Sequence, residues 1–268
     1  MSVAISFGGG GIAGWRALQN GAARQLANVS SDPVVQRAIG QFRDGIGSVS
    51  TPEDLVNNYN LLRVALGAYG LEADIANKGF IRKVLESDVA DSTSLVNRLS
   101  DKRYLRLARA LNLGAGEKLP NTEALKTQIA DAYIQREYER RVGNADESLR
   151  LALNAQRELQ SFATRTSSDK TMWYEVLGNP PLRKVFEVAF GFGSHYGKLP
   201  VDRQLSEYMK AAERVFGSSS FKQIASQEGI DKLVTSFLAR EQLVKNSVGQ
   251  SRYSAALHLL SMAAAPRR

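Results

Sequence analysis

Every proline in this chain stands at the edge of a segment whose apolar residues repeat with helical spacing. The seven are Pro33, Pro52, Pro120, Pro180, Pro181, Pro200 and Pro266. Proline lacks the N–H that an interior helical turn needs, so a helix tolerates it only in its first turn or in a connection. These positions therefore cut the chain into segments, and the segments read as helices. Ala and Leu occur 32 and 30 times against 19 Val and 10 Ile, so good helix formers outnumber β-branched aliphatics by two to one. No run alternates convincingly with period two, which leaves strands absent or minor. The expected fold class is all-α: a multi-helix single domain.

Several helix starts are signalled locally. Asp32-Pro33, Thr51-Pro52-Glu53-Asp54 and Leu199-Pro200-Val201-Asp202 place a proline in or beside a first turn, and in two of them a carboxylate follows that complements the helix dipole. After Thr51, the residues Leu55, Tyr59, Leu62 and Leu66 define one face, with Gly67 and Gly70 as possible stops. Ala76, Phe80 and Val84 share the next stripe. A short helix follows near Leu95–Leu99, and then Tyr104, Leu107, Ala108 and Leu111 form a face closed by Gly114 and Gly116. In the last third, helices are expected near 170–177, 182–190, 201–216, 221–227, 230–246 and 252–264. Leu205, Tyr208, Met209, Ala212 and Val215 fit one face there, and Ile230, Leu233, Val234, Phe237 and Leu238 another.

From Asn121 to Leu177 there is no proline and one glycine, Gly143. This region predicts a long central helix or a helical hairpin near 121–166, partly clear of the core. Its stripe of Leu125, Ile129 and Tyr133 is thin, and Arg136-Glu137-Tyr138-Glu139-Arg140-Arg141 is charged nearly all round. Gly143-Asn144 fits either a C-cap followed by an N-cap or a tolerated interruption. The expected organisation is a flexible glycine-rich leader over 1–14, a helical domain over 15–247, and a C-terminal helix and tail over 248–268.

Two segments resemble each other without gaps. Leu61-Leu-Arg-Val-Ala-Leu-Gly-Ala-Tyr-Gly-Leu71 aligns with Leu182-Arg-Lys-Val-Phe-Glu-Val-Ala-Phe-Gly-Phe192 at an offset of 121 residues. Each reads as a helix ended by a glycine able to take positive φ, with an apolar residue after it to seal the cap. Two related helical halves would explain the echo, as would the general habit of helices to end this way.

The residue inventory removes much chemistry. There is no cysteine, so disulfides, thiolate metal sites, iron–sulfur clusters and a cysteine nucleophile are excluded, and His195 and His258 are the only imidazoles. Gly8-Gly-Gly-Gly11 lacks the preceding strand and following lysine of a phosphate loop. His195 lies in a loop-like stretch with no recognisable catalytic motif around it, and His258 sits among leucines in an expected helix. No catalytic residue, metal site or cofactor is expected. Lys+Arg number 35 against 27 Asp+Glu, for a net charge of +8. These charges are interleaved rather than blocked, so the sequence argues against a nucleic-acid footprint and for a mildly basic surface. No stretch is long and apolar enough to span a membrane, and the first seven residues lack the pattern of a Sec signal peptide. Trp15, Leu18, Ala22 and Leu26 form an apolar stripe near one end, and Tyr253, Ala256, Leu257 and Leu260 form another near the other end. Such stripes either dock on the chain's own core or face a partner, and Trp15, Leu18, Leu26, Tyr253, Leu257 and Leu260 are the candidate partner-binding residues.

With these residues in view, the chain resembles the alphaproteobacterial domain of unknown function 1217, whose genes sit among flagellar genes. The likeness is carried by Gly10-Gly-Ile-Ala-Gly-Trp15, Phe42-Arg-Asp-Gly-Ile-Gly47, Leu61–Leu71, Phe80-Ile-Arg-Lys-Val-Leu-Glu86 and Asn97-Arg-Leu-Ser-Asp-Lys-Arg-Tyr104. It continues in Leu151-Ala-Leu-Asn-Ala-Gln-Arg-Glu-Leu159 and in the run from Pro180 through Gln204. The resemblance implies a cysteine-poor, mainly helical protein tied to building or operating the flagellum. Together with the lack of a catalytic constellation and the apolar terminal stripes, it leads to the expectation of a non-enzymatic structural or assembly component of the bacterial flagellum. Flagellar proteins or further copies of the chain would be its partners, in the cytoplasm or in the flagellar structure. The alternative expectation is a basic all-helical nucleic-acid-binding or regulatory module.

Overall fold

The computed structural model describes residues 8–114, 123–193 and 195–263, with side chains through residue 245. Among the described residues there are fourteen α-helices and no strand. In chain order they are α1 (Gly11–Ser30), α2 (Pro33–Gly45), α3 (Pro52–Asn57), α4 (Tyr59–Tyr69) and α5 (Lys78–Glu86). Next come α6 (Leu95–Arg98), α7 (Lys102–Leu111), α8 (Glu123–Ala145), α9 (Glu147–Ala163) and α10 (Asp169–Gly178). The last are α11 (Pro180–Phe190), α12 (Val201–Phe216), α13 (Phe221–Ile224) and α14 (Gln227–Ala263).

Helix starts follow the local signals. Asp32 accepts from the Val34 N–H at 2.8 Å, and Thr51 with Asp54 forms a reciprocal capping box. α1 begins at Gly11 rather than near Trp15, so the described part of the expected leader is already partly helical. The face running from Leu55 to Leu66 is not one helix. The chain breaks at Asn58 (φ −95°, ψ 97°), whose side chain accepts from the Leu61 N–H and caps α4. Asn179 does the same for α11 with nearly the same backbone (φ −105°, ψ 98°), accepting from the Leu182 N–H. Only the second break is marked in the sequence, by Pro180 and Pro181.

The region near 121–166 is a hairpin of α8 and α9. Gly143 lies inside α8, and the turn is made at Asp146, which caps α9 by accepting from the Ser148 N–H at 2.8 Å. The expectation that this region stands partly clear of the core fails. Ile129, Ala130, Tyr133, Tyr138 and Val142 of α8 are buried, and α9 is buried on most sides, from Leu149 to Phe162. α9 packs against α8 on one flank and against α11 and α14 on the other, so it lies at the centre of the molecule. At the C-terminal end, the two expected helices 230–246 and 252–264 are one. Residues 246–252 contain no proline and a single glycine, which an α-helix tolerates at a cost of about 1 kcal/mol.

One contiguous core joins residues from α1 to α14, with Trp173 at the heart of its aromatic part. The Trp173 ring meets Phe186, Tyr208 and Phe221 at centroid distances of 5.4, 6.2 and 4.8 Å. Its indole N–H donates to the Ser219 carbonyl at 2.9 Å.

The echo between halves is structural. α4 ends at Gly70 (φ 68°) and α11 at Gly191 (φ 75°), both left-handed. The Leu71 N–H reaches the Leu66 carbonyl at 2.9 Å, and the Phe192 N–H reaches the Glu187 carbonyl at 2.8 Å, the closing bond of a Schellman motif in each. The likeness extends to the helix packed against each. α8 carries Ile129-Ala-Asp-Ala-Tyr-Ile-Gln-Arg-Glu137, and α14 carries Leu233-Val-Thr-Ser-Phe-Leu-Ala-Arg-Glu241. Arg136 lies against Gly70, and Arg240 lies in the same way against Gly191. The offset between these helices is 104 residues rather than 121, because the connection from α11 to α14 is shorter.

Candidate functional site

Trp15 and Leu18 of α1 are buried, and Leu26 is partly buried against the same core. α1 packs on α8, α9, α14 and α2, so this stripe docks within its own chain. Tyr253, Leu257 and Leu260 fall on the helical backbone of α14, but their side chains lie outside the described residues, as does that of His258. His195 precedes a 3₁₀ turn over Tyr196–Lys198, and its ring tilts against Tyr196 at 5.2 Å. Among the described residues no cluster of His, Asp and Glu is placed to hold a metal ion, and no helix is long and apolar enough to cross a membrane.

The unusual chemistry lies in the charged run of α8. Its thin apolar stripe is explained by polar burial: Glu139 and Arg141 are in the core, and so is Glu158 on α9, which is 1% exposed. Glu158 receives Arg106 of α7 at 2.9 Å, Arg136 of α8 at 3.2 Å and Arg157 of α9 at 2.7 Å. Arg157 also reaches Glu139 at 2.6 Å, and Arg136 and Arg157 each donate to Asn154 Oδ1 at 2.8 Å. Three guanidiniums thus share two carboxylates where α7, α8 and α9 meet. Burial opposes ionisation of Glu158, but Arg157, Arg106 and Arg136 outweigh it and hold the carboxyl well below the ordinary range. For Arg136, burial and then neighbouring Arg157 push the pKa down to about 10, which leaves it charged at neutral pH. For Arg157, burial is outweighed by Glu139 and Glu158, and the guanidinium is held more firmly protonated.

Around this network lies a second layer. Glu137 accepts from Arg140 at 2.7 Å and from Arg141 at 2.9 Å, and Arg141 continues to the buried Asp32 at 2.9 Å. Asp32 is the cap of α2, so the start of α2 is tied to α8. Between the first turn of α2, α4 and α8 there remains a cavity of about 240 Å³. Its wall includes Tyr133, whose ring lies so close to Gly67 that a Cβ there would stand 2.9 Å from it. Arg63 of α4 also lines it, with its Nε buried and without a hydrogen-bond partner.

The model of the family described as protein of unknown function (DUF1217) matches residues 68–230, well over half of the chain. The chain belongs to this family. The DUF1217 match runs from the end of α4 into the start of α14, so it includes Gly70 and Gly191, the hairpin and the buried charge network. No curated protein matches. The chain is similar to a protein of Agrobacterium tumefaciens whose X-ray crystal structure is known, at 27% identity and a TM-score of 0.68, covering 85% of this chain and 91% of that one.

Neither the cavity nor the network was visible from the charge pattern, since an arginine-glutamate run reads first as a solvated face. A signal did exist. Aligning α8 with α14 through the Arg-Glu pair would have shown that Tyr133 and Arg140 stand where the other half has Phe237 and Val244.

Proposed function

We infer that this protein is a non-enzymatic helical component of the bacterial flagellum or of its assembly, acting through surfaces carried on its helices. Its partners in this reading are flagellar proteins or further copies of the chain. The flagellar setting is drawn from the sequence resemblance of stretches spread over nearly the whole chain. The observation that carries the mode of action is α14. It runs 37 residues, on the order of 55 Å at the rise of an α-helix, and among its described side chains, which end at Lys245, the last buried one is Leu238. Leu243 is already 68% exposed, and beyond it the sequence places Tyr253, Leu257 and Leu260 at helical spacing on the continuing backbone. An amphipathic helix of this kind is a common element for docking into a groove or against another helix. The nucleic-acid alternative draws less support, because Arg136, Arg141 and Arg157 are committed to carboxylates inside the protein.

Gene deletion tests the reading. Loss of swimming or of filaments is expected, restored by the full chain but not by a version ending at Lys245 that keeps a cooperative melting transition. Normal filaments and normal swimming in the deletion strain would sink it.

A further inference from the structure

The cavity between α2, α4 and α8 is lined by four arginines, Arg63, Arg136, Arg140 and Arg141, against two carboxylates, Glu72 and Glu137. Most of this charge is already spent. Arg136 and Arg141 are held by buried carboxylates, and Glu137 is occupied by Arg140 and Arg141. Arg63 is different. It is partly buried, its Nε has no hydrogen-bond partner, and no ion pair engages it among the described residues. An arginine carries five donors, and a buried Nε–H without an acceptor leaves one of them for a ligand to complete. Arg140 of α8 also lines the cavity and is 49% exposed; it is paired with Glu137, so closing on a ligand would exchange that carboxylate for the ligand.

The second half of the molecule supplies an internal control. There, Lys184 holds the place of Arg63 and is exposed, Val188 the place of Gly67, Phe237 that of Tyr133 and Val244 that of Arg140. The same helix pair is therefore built in the other half without the phenol or the outer guanidinium. The polar lining is a property of one half and is not required by the fold.

We propose that this cavity binds a phosphate group, with Arg63 as its principal ligand and Arg140 closing on it. Arg63 is the arginine of this lining that no carboxylate engages among the described residues, and it supplies the positive charge a phosphate oxygen would meet. The two guanidiniums are carried on separate helices, Arg63 on α4 and Arg140 on α8, and donors from separate elements suit the several acceptor oxygens of a phosphate. A volume of about 240 Å³ holds the phosphate of the free ion or of a small phosphomonoester. The site is independent of the flagellar reading and can be tested without it.

The test is calorimetric titration of the intact protein with inorganic phosphate, and in parallel with glycerol 3-phosphate, at pH 7.5 and constant ionic strength. Saturable binding of at least one is expected. Equal affinities would mean that the phosphate group alone is recognised, and tighter binding of the ester that a phosphorylated small molecule is the ligand. Arg63→Gln should weaken binding at least tenfold without lowering the ligand-free melting temperature, and Arg140→Gln should weaken it severalfold. Lys184→Gln, at the matching place in the other half, should leave it unchanged. Absence of saturable binding to both probes, or wild-type affinity in Arg63→Gln, would overturn the proposal.

Discussion

Arg136 lies over Gly70 so closely that a Cβ on the glycine would stand 2.9 Å from the guanidinium carbon. The glycine is therefore held by two requirements, a left-handed backbone and a close neighbour. Gly191 repeats both, with φ 75° and Arg240 at 2.7 Å from the same imagined atom. Gly70→Ala and Gly191→Ala should each cost about 1–2 kcal/mol from the left-handed backbone alone, more where the arginine must shift. Gly40→Ala, inside α2 with nothing near, should instead stabilise by roughly 0.5–1 kcal/mol. Urea unfolding midpoints read all three, and a neutral Gly70→Ala would contradict the packing described.

Removing the carboxylate of Glu158 leaves three guanidiniums with Glu139 as the one buried counter-charge paired with them among the described residues. Breaking a buried ion pair from one side costs on the order of 3–5 kcal/mol, so Glu158→Ala should unfold at much lower denaturant, whereas exposed Glu53→Ala should lie near wild type.

Acid should act through the same residue. The carboxyl of Glu158 is held well below its unfolded value, so the unfolded chain binds the proton more readily than the folded one. The stabilisation is present above the unfolded glutamate pKa, about 4.3, and is lost progressively as pH falls through that value towards the lower folded one. Denaturant midpoints measured from pH 7 down to pH 3 should decline in the wild type. In Glu158→Gln the starting stability should be lower and the decline shallower; an identical slope would remove Glu158 as a source.

The paired caps offer a local test. Asn58→Ala and Asn179→Ala each remove a side-chain acceptor from the first turn of α4 or α11, at about 1 kcal/mol. Asn58→Asp and Asn179→Asp keep the acceptor and should stay close to wild type in thermal melts.

Trp173 anchors the aromatic part of the core. Trp173→Ala should cost about 3–5 kcal/mol, while Trp173→Phe keeps most of the packing and leaves the Ser219 carbonyl without its donor, at roughly 1–3 kcal/mol. Equal losses in calorimetric unfolding would mean that the hydrogen bond, not the ring packing, dominates.

Much of the architecture is legible locally. Pro200 and Gly217 bracket α12 at its observed limits, and Asp32 and Thr51 cap the helices that follow them. The break at Asn58 is not legible, because asparagine caps helices and also sits in loops, and no proline follows it. The continuity of α14 across Gly249 is hidden for the opposite reason: one glycine weakens a helix without ending it.

The sequence by itself determined that this chain is all-α, where most helices begin and end, and that two glycine-capped helices echo each other. Those properties are set within a few residues, by propensity, period and capping, and need no distant neighbour. Tertiary structure alone decided the fate of the charges. Arg136, Glu139 and Arg141 lie in one run, yet their partners include Glu158, Arg157 and Asp32, brought near by the α8–α9 hairpin and the docking of α2. Whether a charged residue faces water or a buried counter-charge depends on which helix lies opposite, and helical period carries no record of that neighbour.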